Sequence, residues 1–148
     1  MIRLMVVHGA GMELRGKVDV EIFGPMTMDD YSAAIRRDAD ALGVAVEVVH
    51  TLDAAELCAI LARRAADGID GVIINPAGFT VGHPAIADAI RATGVPSVEV
   101  HVSNPAARGV ASSIAPGTTC VVAGFGVGGY RLAMQGLVAL IAARGDGG

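Results

Sequence analysis

The stretch Glu99-Val100-His101-Val102-Ser103-Asn104 places a carboxylate, an imidazole and a hydroxyl at alternate positions. In a β-strand, residues two apart share a face, so these side chains line up. A carboxylate behind an imidazole fixes its tautomer and raises its basicity, which suits a general acid or base. Ser103, with the backbone amides beyond it, is suited to a carboxylate. The plainer alternative is a hydrogen-bonded histidine placed for folding alone. A charged glutamate in a buried strand still calls for a reason.

Asn75-Pro76-Ala77-Gly78-Phe79-Thr80 offers a carboxamide that could hold a carbonyl oxygen or a water, or serve as an ordinary turn residue. Gly124-Phe125-Gly126-Val127-Gly128-Gly129 matches the G-x-G-x-x-G spacing of a dinucleotide-binding turn. It lies in the last strand–helix unit, with no later strand to carry the acidic residue for the ribose. Close packing of helix on strand explains it better, and no dinucleotide cofactor is expected. His8, His50 and His101 would have to converge from different strands to bind a metal, and no paired-Cys or His-x-His spacing supports that. No metal site is expected.

Positioning these groups requires alternating strands and helices. Aliphatic runs at residues 2–7, 44–49, 71–74, 95–102 and 119–123 read as strands. Residues 11–25 mix charge, glycine and valine without a clear period and read as a mobile loop. Thr27, with Asp30 three positions on, caps a helix whose buried stripe is Tyr31, Ala34, Ile35, Ala39 and Leu42, and Gly43 ends it. Asp53 and Glu56 open the next helix, Gly82-His83-Pro84 a third that closes at Gly94, and residues 127–143 form the last. This alternation implies one α/β domain over residues 1–144 with a parallel doubly wound sheet, and a frayed end over 145–148. Ligands in such folds bind beyond the carboxyl ends of the strands. His8, His50, Asn75 and His101 all fall there, with His83 at a helix start on the same side.

Of the 148 residues, 53% are apolar and only 3% aromatic, so the core must be aliphatic, as a sheet covered on both faces demands. A net charge of −4 without a basic block argues against nucleic acid as a partner. No apolar run is long enough to span a bilayer, so no membrane partner is expected. The first residues lack a charged leader followed by an apolar stretch, and Cys58 and Cys120 read as small core residues. A cytoplasmic location is therefore expected.

Ile74-Asn75-Pro76, Glu99 to Asn104, Arg108, Pro116 and Gly124 through Ala133 together resemble type II 3-dehydroquinate dehydratases over nearly the whole chain. The resemblance implies a flavodoxin-like five-stranded parallel sheet, order 2-1-3-4-5, with helices on both faces. It also implies a small-molecule substrate, no cofactor, a homo-oligomer built from trimers into a dodecamer, and anti elimination of water through an enolate. By resemblance, His101 is the general acid, Glu99 orients it, and Asn75 helps hold the water that stabilises the enolate. Val102, Ser103 and Gly78 contribute to substrate binding, and Arg108 lies beside the site.

The departures fall in the lid. Where the family has an Arg-Glu-Pro motif and then its proton-abstracting Tyr before Gly, this chain has Val18-Asp19-Val20 and then Phe23-Gly24. The arginine and the tyrosine both look absent, and Val81 stands where the family has a histidine. Tyr31 and Tyr130 sit on helices. His8 is the first candidate for a replacement base, with Asp19 and Glu13 behind it. Three functions follow: a diverged lyase acting on a small oxygenated carbonyl or carboxylate substrate, a non-catalytic ligand-binding or scaffold relative, and a true dehydroquinate dehydratase.

Overall fold

A computed structural model describes residues 1–147. Strand β1 spans Arg3–His8, β2 Ala45–His50, β3 Gly71–Asn75, β4 Ser97–His101 and β5 Cys120–Ala123. All neighbours pair in parallel in the order β2-β1-β3-β4-β5, the flavodoxin-like doubly wound sheet. Helices α1 (Val20–Phe23), α2 (Met28–Leu42), α3 (Ala54–Ala66), α4 (Pro84–Ala92) and α5 (Gly128–Gly147) connect or follow them. Helix α5 continues past the expected boundary at residue 143, and of the expected frayed end Gly148 lies outside the described residues.

Strand alternation divides the core in two. Leu4, Val6, Ile73, Val98 and Val100 face α2 and α5, where Tyr31, Ile35, Tyr130, Met134 and Leu137 meet them. Met5, Val7, Val72 and Ile74 face α3 and α4, packing on Leu57, Leu61, Ile86 and Ile90. Full burial of each such side chain contributes roughly 1.5–3 kcal/mol, enough to fix the register of β1, β3 and β4. The glycine-rich turn packs as its sequence suggests: a Cβ on Gly129 would meet Val100 Cγ1 at 3.3 Å, so glycine there lets α5 lie close on the sheet.

Residues 11–25 are more structured than the expected loop. A 3₁₀ turn at Met12–Leu14 and helix α1 fold the segment over the strand ends. Met12 is fully buried, Gly16 turns the chain at φ 79°, and the Tyr31 hydroxyl donates to the Phe23 carbonyl at 3.3 Å. The segment's backbone bonds close single short turns, such as Arg15 N to the Met12 carbonyl and Gly24 N to the Val20 carbonyl, too brief to leave a periodicity in the sequence.

At the start of α2, the Asp30 amide donates to Thr27 Oγ1 and the Thr27 amide donates to the Asp30 carboxylate, closing the capping box. Thr27→Ala is expected to lower stability by about 1 kcal/mol in urea unfolding. An unchanged midpoint would show that tertiary packing alone holds the helix end.

Candidate active site

His101 ends β4 with Glu99 two residues behind it on the same strand face, opposite to the face of Val98 and Val100. Glu99 is 1% exposed, and its two oxygens have separate partners. Oε2 lies 2.7 Å from His101 Nε2, and Oε1 accepts from the Ser112 hydroxyl at 2.8 Å. A buried carboxylate held from both sides orients the imidazole firmly. With Nε2 engaged, Nδ1 is the nitrogen left to serve a ligand.

Asn75 ends β3. Its Oδ1 accepts from the Ala77 amide, and its Nδ2 donates to the Tyr130 hydroxyl at 3.0 Å. Ala77 sits at φ 48°, a left-handed conformation that costs a non-glycine residue on the order of 1–2 kcal/mol. The loop is clamped in place nonetheless. Thr80 Oγ1 donates to the Ala77 carbonyl, and Gly78 N donates to the Ala10 carbonyl, both at 2.6 Å. Gly9 allows that approach, because a Cβ there would overlap the Pro76 carbonyl at 2.1 Å.

A cavity of about 250 Å³ opens between these strand ends and the lid. It is lined by Asn75, Gly78, His101, Val102, Ser103 and Arg108 from the sheet side, and by Phe23 and Arg15 from the lid. These sequence candidates therefore meet in one place, at the carboxyl ends of β3 and β4. Arg108 Nη1 donates to Ser103 Oγ at 3.0 Å, which brings a hydroxyl and a guanidinium together on one wall of the cavity.

Arg15 is a cavity-lining residue that sequence reasoning missed. Its guanidinium carbon lies 3.6 Å from the Phe23 ring centroid, and that of Arg108 lies 5.8 Å from the same centroid. Val18 does lack the charge, but Gly16 turns the chain so that Arg15 supplies a lid arginine from a different sequence position. The position matched to the family's arginine, Val18, stays uncharged, and the lid arginine lies three residues before it. Burial draws the Arg15 pKa below its ordinary value.

The three expected replacement bases lie elsewhere. His8 shares the strand face of Leu4 and Val6, so it points beneath α5, fully buried, with Nε2 3.0 Å from the Tyr130 hydroxyl. It reaches the cavity only through Tyr130 and Asn75. Glu13 accepts from the Gly11 amide and pairs with His50 Nε2 at 3.1 Å, facing a different cleft. Asp19 precedes α1 at φ 50° and does not line the cavity. A direct base role for any of the three has no geometric support. Nor does a tyrosine substitute: burial pushes the Tyr130 and Tyr31 phenols above their ordinary values, and neither lines the cavity. His83 packs edge-on against Phe79, away from the cavity lining. Among the described residues no group of three or more His, Cys, Asp or Glu is placed to hold a metal ion, and no helix is long and apolar enough to cross a membrane.

A flavodoxin-like sheet with a carboxylate-backed histidine at its carboxyl edge defines the class of protein; comparison with known proteins narrows it. The family profile described as Dehydroquinase class II matches residues 2–138. A protein of Desulforudis audaxviator named 3-dehydroquinate dehydratase is 37% identical over 143 residues, covering 95% of both chains. Another from Corynebacterium efficiens, named 3-dehydroquinate dehydratase 2, is 39% identical over 139 residues, covering 90% of this chain and 95% of its own. The crystal structure of type II dehydroquinase from Propionibacterium acnes matches with a TM-score of 0.84 at 32% identity, covering 96% of this chain and 97% of that one. The chain belongs to the class II dehydroquinase family, and these relatives carry the names of lyases.

His8 gives the site a pH signature. Burial, with smaller contributions from the charges of His50 and Arg15, lowers its pKa from 6.5 to about 4. The unfolded chain therefore binds a proton at His8 that the folded chain refuses between those values. Stability is present in full above pH 6.5 and falls as pH drops towards 4. His8→Asn is expected to remove from this acid slope roughly 3 kcal/mol, as measured by urea unfolding across that range. An identical slope in the variant would show that His8 is not held neutral.

Proposed function

We propose that this chain is a diverged lyase of its family, acting on a small oxygenated carbonyl or carboxylate substrate through an enol or enolate. One observation carries the reading: His101, backed by buried Glu99 at 2.7 Å, faces a cavity whose lid presents Phe23 where the family pattern has a phenol. Phenylalanine takes no proton. The lining side chains that bear an ionisable group are Arg15, His101 and Arg108, so His101 provides the imidazole chemistry of the cavity.

Proton removal and proton delivery then run through one nitrogen. Neutral His101 takes a proton from the carbon beside the carbonyl. The resulting imidazolium, stabilised by Glu99, returns it to the same face of the substrate. Enol isomerisation and syn elimination fit a single group working on one face; an anti elimination needs a second group opposite. Asn75 is placed to hold a carbonyl oxygen or a water beside it. Ser103 and Arg108 take a substrate carboxylate, with the backbone of Val102 and Gly78 shaping the floor.

Incubation of the protein with a panel of small cyclic keto and hydroxy acids in D₂O, followed by proton NMR, tests this. At least one member is expected to exchange or turn over, and His101→Ala is expected to abolish that reaction. Unchanged exchange in the variant would refute the assignment.

The names of the relatives favour a second reading, dehydration of 3-dehydroquinate itself. General base catalysis contributes about 10²–10⁴-fold, so without a phenol the chain is expected to fall roughly a thousandfold short of an ordinary dehydratase rate. Phe23→Tyr is expected to recover part of that deficit in an ultraviolet assay for the unsaturated product. An ordinary rate in the unaltered chain would establish the second reading instead.

A further inference from the structure

The lid arginine has an unusual environment. Arg15 is 9% exposed, yet its guanidinium makes no hydrogen bond to protein and no ion pair among the described residues. Its Nε is buried without a partner. The Phe23 face, 3.6 Å from the guanidinium carbon, attracts the cation but offers nothing to N–H groups that lie in the guanidinium plane. A donor buried without an acceptor, on a cation largely covered by protein, is costly unless something supplies one.

The surroundings point to that acceptor. No carboxylate side chain lines the cavity, and buried Glu99 behind His101 is engaged by His101 and Ser112. Arg108 is already hydrogen-bonded to Ser103, apart from Arg15. The cavity thus presents two cationic contact points, both flanking Phe23. A phenol at position 23 could have carried a compensating negative charge; a phenyl ring cannot.

We infer that Arg15 is a specificity-determining residue that binds a second anionic group, so the cavity selects small dicarboxylates over monocarboxylates. This rests on the lyase reading and names its substrate class. The substrate carries one carboxylate at Ser103 and Arg108, another at Arg15, and its acidic carbon between them beside His101. A bidentate guanidinium–carboxylate pair supplies both charge and orientation.

The test is calorimetric titration of the protein with cyclohexanecarboxylate and with cis-1,3-cyclohexanedicarboxylate, which share a ring and differ by one charge. The dicarboxylate is expected to bind at least about tenfold more tightly, as one charge-assisted contact implies. Arg15→Gln is expected to erase that advantage while leaving monocarboxylate binding in place, and Arg15→Lys to retain part of it. Thermal melts of both variants check that the lid remains folded; if Arg15→Gln unfolds, loss of geometry but not of charge in Arg15→Lys carries the comparison. Equal affinity for the two ligands, binding of neither, or an advantage that survives Arg15→Gln would overturn the inference. Binding is read without turnover, so these results stand apart from the effect of His101→Ala on exchange.

Discussion

A carboxylate in the middle of a parallel sheet is the constraint around which this site is arranged. Glu99 occupies a strand whose residues are all buried, where an unpaired charge would cost several kcal/mol. The cost is offset only because His101 and Ser112 approach from two directions. Remove either contact and a buried charge loses a partner. The same geometry that makes Glu99 tolerable holds the imidazole at the strand end, with one nitrogen fixed and the other available. Folding and chemistry therefore place the same demand on these residues.

Around that pair the chain uses strand parity to separate two polar systems. Glu99 and His101 lie on the face opposite Val98 and Val100, whereas His8 shares the face of Leu4 and Val6 and meets Tyr130 from α5. The Tyr130 hydroxyl in turn receives the Asn75 amide, so the second system shapes the cavity from beneath without reaching into it. A strained Ala77 and a clamped turn present Asn75 beside His101. The lid completes the enclosure with an aromatic ring between two guanidinium groups.

Much of this was legible in the sequence because it follows short periods. Alternation of strands and helices pointed to the doubly wound sheet, and the rule that ligands sit beyond strand carboxyl ends gathered His8, His50, Asn75 and His101, of which Asn75 and His101 line the cavity. The Thr27 capping box and the glycine-rich packing turn are equally local. Arg15 was not legible, since its place in the cavity depends on a left-handed turn at Gly16 and on stacking against Phe23. The burial of His8 depends on a tyrosine 122 positions away, although its parity with Leu4 and Val6 was a usable signal. Glu13 drew attention by its charge, but its oxygens are committed to Gly11 and His50.

The most direct measurement is the tautomer of His101, read from ¹⁵N chemical shifts and long-range ¹⁵N–¹H correlations in the labelled protein. A carboxylate holding Nε2 requires the hydrogen on that nitrogen and a bare Nδ1 facing the cavity, with the preference relaxed in Glu99→Gln. A hydrogen on Nδ1 with Nε2 bare, unaffected by Glu99→Gln, would contradict the glutamate-held imidazole on which the site is built.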